Sequence, residues 1–193
     1  MHRAIAILAA AAIAAAPAAA DKLSLDTLSG YLESIEEAEA GFTQITEDGV
    51  ISTGRLAIKR PGRVRFDYDP PNEGLVLASA GAVYVIDRKV GGTPETYPLS
   101  RTPLSIVLAR EVDLTRAGMV TGHSYDGTAT TVTAEDPDRP EAGRIRLVFT
   151  DDPLELRQWV IETPEGGATT VILDSLQQAD LPNSLFRPAR DDD

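Results

Sequence analysis

The sequence predicts a mainly β fold of the α+β class: an antiparallel meander of short strands, curled into a sandwich or barrel and accompanied by two helices. Two observations carry this. Past Gly41 the apolar residues recur at every second position in short runs, the period of a strand with one buried face. Between the runs stand turn signals: Asp48-Gly49, Pro61-Gly62, Pro70-Pro71-Asn72, Ala80-Gly81, Gly91-Gly92, Asp126-Gly127 and Gly166-Gly167. About nine or ten short strands spaced in this way suit an antiparallel meander.

The chain opens on a stretch that reads as a secretory leader. Arg3 supplies a positive start, Ala4 to Ala16 an apolar run too short to span a bilayer, and Ala18-Ala19-Ala20 the small residues of a cleavage site. Residues 1–20 are therefore expected to be a signal peptide, and residues 21–193 one domain with a sizeable core. Residues 23–38 are expected to form an amphipathic helix. Leu25, Leu28, Leu32 and Ile35 share one face, while Glu33, Glu36, Glu37 and Glu39 fill the other side and its end. Ser24 is the candidate N-cap; with Thr27 three residues on, the capping box is incomplete. The clearest strand is 63–69, where Val64, Phe66 and Tyr68 alternate with charged residues at every step. Further strands are expected near 42–47, 50–59, 74–79, 82–87, 129–134, 144–150, 154–162 and 168–176. Thr102 can cap a second helix, Pro103 suits its first position, and Leu104 to Ala109 are nearly all apolar, so this helix must lie against apolar surface on several sides. The acidic end, Asp191-Asp192-Asp193, is expected to fray. Such a sheet and its helices pack as an ordinary core or around a covered cavity, and composition leaves both open.

Charge and composition exclude several classes of function. Against 18 Lys and Arg stand 30 Asp and Glu, a formal net charge of −12. Such a surface repels nucleic acid and anionic headgroups, whose binding needs clustered cations to displace counterions. There is no cysteine, hence no disulfide, thiolate nucleophile or cysteine-linked lipid anchor. Beyond the leader, no run approaches the roughly 18 continuous apolar residues of a membrane span. His2 leaves with the leader, and His123 reads as a surface residue at a strand end beside a turn. A hydrolase would need a nucleophile beside that histidine, and no Gly-x-Ser-x-Gly elbow exists; a metal site lacks a second histidine or any cysteine. The carboxylates of Glu135, Asp136, Asp138 and Glu141 lack the order of an EF-hand and read as a solvated loop. Asp151-Asp152-Pro153 reads as a turn, and Gly91-Gly92 is not followed by a helix that would make it a phosphate loop. Arg60, Arg63 and Arg65 form the densest basic patch. Arg63 and Arg65 point away from Val64 and Phe66, toward a solvated outer face or an acidic partner. No enzyme, cofactor or metal is expected.

Several motifs stand in a set order. Gly41-Phe42-Thr43-Gln44 follows the first helix, then Ile58-Lys59-Arg60-Pro61-Gly62, then Phe66-Asp67-Tyr68 with Pro70-Pro71 behind it. Thr102-Pro103 opens the short apolar helix, Phe149-Thr150-Asp151-Asp152-Pro153-Leu154 precedes Trp159, and Leu185-Phe186-Arg187-Pro188 comes last. Each is weak alone; the ordered set, spanning nearly all of residues 21–193, resembles the LolA family of periplasmic lipoprotein carriers.

The resemblance implies an incomplete antiparallel β-barrel, a half-barrel whose apolar cavity is covered by helices. It implies a periplasmic carrier that takes acylated lipoproteins from an inner-membrane ABC transporter to an outer-membrane acceptor resembling LolB, or to the membrane itself. The chain is expected to act as a monomer. Arg60 matches the family arginine that latches the ligand-free lid through backbone carbonyls, here near Leu32 in the first helix and near Leu108 and Ala109 in the short one. A guanidinium suits this role because it offers five donors; the alternative is that Arg60 solvates the turn before Pro61. The acyl-chain cavity is expected to draw on Leu32, Phe42, Leu56, Ile58, Val64, Phe66, Tyr68, Leu104, Ile106, Leu108 and Trp159, for each of which ordinary core is the alternative.

The sequence also departs from the family. Phe66 stands where a tryptophan is frequent, and Val64 where a larger residue is, which alters the groove mouth. Asp69-Pro70-Pro71-Asn72-Glu73 is polar where the family's membrane-anchored receptor has an apolar loop, favouring carrier over receptor. The chain stops soon after Arg187-Pro188, where relatives usually continue with a further short segment, so a role of that tail in preventing back-transfer is not carried over. A carrier of free lipids, or a sensor of lipid or lipoprotein signals with the same fold, remains the alternative. Related regulators of an anti-sigma factor are longer and have a second domain.

Overall fold

The computed structural model describes residues 22–188; the expected leader, residues 1–20, and the acidic end, residues 191–193, lie outside them. Helix α1 (Leu25–Ser34) starts at Ser24, whose side-chain oxygen accepts the Thr27 N–H at 3.1 Å. The helix is shorter than the expected 23–38. From Glu37 the chain is strand β1 (Glu37–Thr46), in which Ala38, Ala40 and Phe42 are buried at every second position. The glutamates that suit the wet face of a helix suit the wet face of a strand equally well. Glu37 is held there by the Lys59 ammonium at 2.7 Å and the Leu181 N–H at 2.9 Å.

The strands that follow are β2 (Ile51–Lys59), β3 (Arg63–Tyr68), β4 (Gly74–Ser79), β5 (Ala82–Asp87) and β6 (Glu95–Pro98). After a 3-10 turn at Leu99–Arg101 and the one-turn helix α2 (Leu104–Val107) come β7 (Val120–Tyr125), β8 (Thr130–Glu135), β9 (Arg144–Asp151), β10 (Leu154–Glu162), β11 (Ala168–Leu173) and β12 (Gln177–Gln178). Thr102 does not cap α2; its hydroxyl turns back to the Leu99 carbonyl at 2.9 Å.

All twelve strands join one antiparallel sheet in the order β6-β5-β4-β3-β2-β1-β11-β10-β9-β8-β7, with β12 added to β1. The sheet is not closed: its ends, β6 and β7, do not pair with each other. β1 is central, β2 to β6 wind out from it on one side, and β7 to β11 wind back to it on the other. The connection from β6 to β7 must therefore cross from one edge to the other, and α2 lies on that crossing. Topology alone puts the short apolar helix over the sheet.

One sheet face carries the larger core. Leu28 and Leu32 of α1, Leu104 and Ile106 of α2 and Leu108 just after it pack with Leu56, Val64, Leu147, Phe149 and Trp159 of the strands. Gly54 makes room for the aromatic part of this face. It sits between Phe42 and Tyr68 in register, and a Cβ there would lie 2.1 Å from the Asp67 carbonyl oxygen and 2.8 Å from the Phe42 ring.

The other face carries a smaller cluster of Ala57, Leu75 and Leu77, covered by Leu181 and Phe186 from the C-terminal segment. This corrects the expected roles of Arg63 and Arg65. Neither is a solvated patch nor free for an acidic partner. Arg63 bonds Asn183 Oδ1 at 2.7 Å and lies 6.0 Å from the centre of the Phe186 ring, and Arg65 donates to the Leu185 carbonyl at 3.0 Å. Asp136 is corrected too. At 6% exposure it is buried rather than solvated, and it pairs with Arg139 at 2.7 Å.

Candidate functional site

Where the two helices meet the sheet lies an enclosed crevice. Its walls are Leu32 and Ile35 at the end of α1, Leu104, Val107 and Leu108 in and after α2, and Ile58, Val64, Leu156 and Trp159 from the sheet; Arg60 is its one charged residue. Its free volume is about 20 Å³, room for about one water molecule and far too little for an acyl chain. The helices therefore fill the sheet's apolar face, and a chain molecule enters only if they move.

Arg60 follows β2 directly, and its own N–H donates to the Glu36 carbonyl at 2.8 Å. From there its guanidinium donates to the Leu32 carbonyl in the last turn of α1, to Ala109 at 2.7 Å and to Arg110 at 3.4 Å. Carbonyls at a helix C-terminus lack intrahelical partners and carry partial negative charge, so a cation with several donors fits them. Burial draws the Arg60 pKa below its usual value, and the carboxylates of Glu33 and Glu36 oppose that pull. Leu108 differs from expectation. Its carbonyl accepts the Gly62 N–H at 2.8 Å and gives Arg60 nothing. The tight turn brings Gly62 to that oxygen first. Together Arg60 and Gly62 tie the β2–β3 turn to both helices.

Three further side chains of α1 hold it down, none singled out by the sequence. Ser29 accepts the Leu114 N–H at 3.0 Å, Glu33 accepts the Val112 N–H at 3.2 Å, and Tyr31 accepts the Leu156 N–H at 3.0 Å. Burial pushes the Tyr31 phenol up, so this acceptor stays neutral. A serine, a tyrosine and a glutamate in a helix carry no signal for such bonds, because the partners lie far along the chain. His123 is corrected as well. It lies inside β7, half-buried, and Nε2 bonds the Leu23 carbonyl at 2.9 Å, so that nitrogen carries the proton. Among the described residues no group of His, Asp or Glu is arranged to hold a metal ion.

Of the expected cavity residues, Leu32, Ile58, Val64, Leu104, Leu108 and Trp159 line the crevice. Phe42, Leu56, Phe66 and Tyr68 are packed in the same core without reaching it. They continue it instead as an edge-to-face aromatic series. Phe42 lies 5.2 Å from Tyr68 and 5.3 Å from Phe66, and Phe66 lies 6.2 Å from Trp159. Ile106 belongs to the same core and borders a separate pocket with Arg116, Asp136 and Arg139 instead of the crevice. Leu156 is the instructive omission. A register shift between Leu156 and Gln158 breaks the alternation of β10, so Leu156 and Trp159 both face inward although their spacing is odd.

An open antiparallel half-barrel with two helices latched over an apolar face defines a class of small cavity proteins, and the comparisons narrow it. A family model, "Outer membrane lipoprotein carrier protein LolA", matches residues 33–189, and the chain belongs to that family. It is similar to the outer-membrane lipoprotein carrier protein of Azotobacter vinelandii, 34% identical over 86 residues that make up 42% of each chain. It is also similar to that of Methylibium petroleiphilum, 31% identical over 121 residues, 58% of this chain and 59% of that one. The matched segments thus span about half the length of these relatives. A DUF1329 family protein from Desulfovibrio piger shares the fold at a TM-score of 0.50 and 13% identity, covering 84% of this chain and 94% of its own.

Proposed function

We propose that this protein is a non-enzymatic periplasmic carrier, exported by residues 1–20 and folded as one domain, that holds the acyl chains of lipoproteins between its helices and its sheet. It receives them from an inner-membrane ABC transporter and gives them to an outer-membrane acceptor or to the membrane. The observation that carries this reading is the latched crevice, an apolar space under two helices that Arg60 ties to the sheet through the Leu32 carbonyl of α1 and the Ala109 carbonyl just beyond α2. The physical need is large. Each methylene taken out of water is worth about 0.8 kcal/mol, so two or three acyl chains cost tens of kcal/mol to expose. A dry interior offsets most of that, and the latch sets when it opens.

Copurification tests the proposal. The chain is expressed in a periplasm with a tagged lipoprotein, pulled down, and its bound material identified by mass spectrometry. A stoichiometric acylated lipoprotein, lost when its acyl chains are absent, is the expected result. Phospholipid alone makes the protein a carrier of free lipids, and a clean protein refutes the carrier reading.

A further inference from the structure

Among the described residues two buried side-chain nitrogens have no hydrogen-bond partner, Trp159 Nε1 and Arg60 Nε. Both belong to walls of the same crevice. Trp159 is 2% exposed, so its indole N–H finds no solvent either. Buried donors are nearly always bonded, and an unbonded one costs free energy that a protein normally avoids. A lone donor in an apolar wall fits a lone acceptor on an apolar ligand. A saturated chain has none along its length, but its acyl end has a carbonyl oxygen, which accepts and never donates.

We propose that Trp159 donates its indole N–H to the carbonyl oxygen of an acyl ester or amide when a chain occupies the cavity. This rests on the acyl-carrying reading and adds to it a polar selection. The cavity distinguishes acyl chains from alkyl chains of equal length, and the bond fixes how far along the wall the acyl end sits. Arg60 Nε is a second donor on the same wall for a second carbonyl.

The chain has one tryptophan, so its indole N–H gives a single, assignable signal. The delipidated 15N-labelled protein is titrated with a short peptide bearing an S-diacylglyceryl cysteine, and with its dialkyl ether counterpart of equal chain length. Diacyl and dialkyl phosphatidylcholine are run as a second pair. The expected result is a downfield shift of the indole proton with a diacyl ligand and not with its ether, and about tenfold tighter binding of the diacyl form. In Trp159→Phe the diacyl and dialkyl affinities are expected to become equal, and measurable binding of either form shows that the variant is folded. A preference confined to the lipopeptide pair assigns the carbonyl to a lipoprotein; one seen in both pairs assigns it to any acyl ester, and the donor stands in either case. Equal shifts and equal affinities for ester and ether overturn the proposal while leaving the carrier reading intact. Binding of neither form overturns both.

Discussion

A single side chain connects three parts of this molecule. Arg60 reaches Leu32 of the first helix and Ala109 and Arg110 beyond the second, all from the end of β2. Arg60→Leu keeps an apolar side chain at the position and removes every side-chain donor. The Leu32 and Ala109 carbonyls then lose the guanidinium, and urea unfolding is expected to show a loss of about 1–3 kcal/mol. The variant is expected to load acylated lipoprotein but to hand it on poorly, because the guanidinium bonds that favour reclosure are gone; transfer at the normal rate to acceptor membranes would rule out a latch. Sequence reading reached Arg60 only through a resemblance, since an arginine before a proline is otherwise an ordinary turn residue. It also placed Leu108 among the arginine's partners. Which of several adjacent carbonyls a guanidinium reaches depends on the Gly62 N–H taking one of them first, and that competition is three-dimensional.

At the scale of elements, legibility followed exposure on two faces. β3 was readable because Val64 and Phe66 are buried while Arg63 and Arg65 line the opposite face. β6 was not, because all four of its residues are exposed and no alternation marks them. β7 is an edge strand with Gly122, His123 and Ser124 at its centre, a composition that reads as a turn. The C-terminal segment was read as a motif without a place. It lies across the outer face, where Phe186 is 2% exposed and Lys59 donates to the Leu181 carbonyl at 2.6 Å. Phe186→Ala is expected to cost about 3–5 kcal/mol in urea unfolding. Ligand affinity should not change, because the two apolar clusters lie on opposite faces of the sheet; a matching loss of affinity would show that they are coupled.

The molecule as a whole leans on paired carboxylates. Burial pushes Asp67 up, but the hydrogen bonds from Arg65 and Arg88 outweigh it and hold the carboxyl below its ordinary range. Asp136 behaves alike, with burial opposed by Arg139, the Asp138 N–H and Arg116. The hydrogen bond from Lys59 lowers Glu37. Each of these groups binds a proton more readily unfolded than folded. Their contribution is present above the ordinary carboxylate pKa of about 4 and is lost as the pH falls through the depressed folded values. The urea midpoint at about 0.15 M salt, where long-range repulsion is screened, is expected to hold from neutrality to about pH 5 and drop below about pH 4. Asp136→Asn should make that acid limb shallower. The sheet's open edges add something the latch alone would not: no strand pair ties the helices to the sheet, so the opening proposed above breaks none. A crevice of about 20 Å³ when empty also has a kinetic meaning. On the proposed carrier reading, the loading rate climbs with ligand concentration only until it meets the rate of opening, and the measured affinity is scaled down by the fraction of time spent open. On the same reading, dilute stray lipid meets a shut door, and the delivery step goes to whichever partner can hold it ajar.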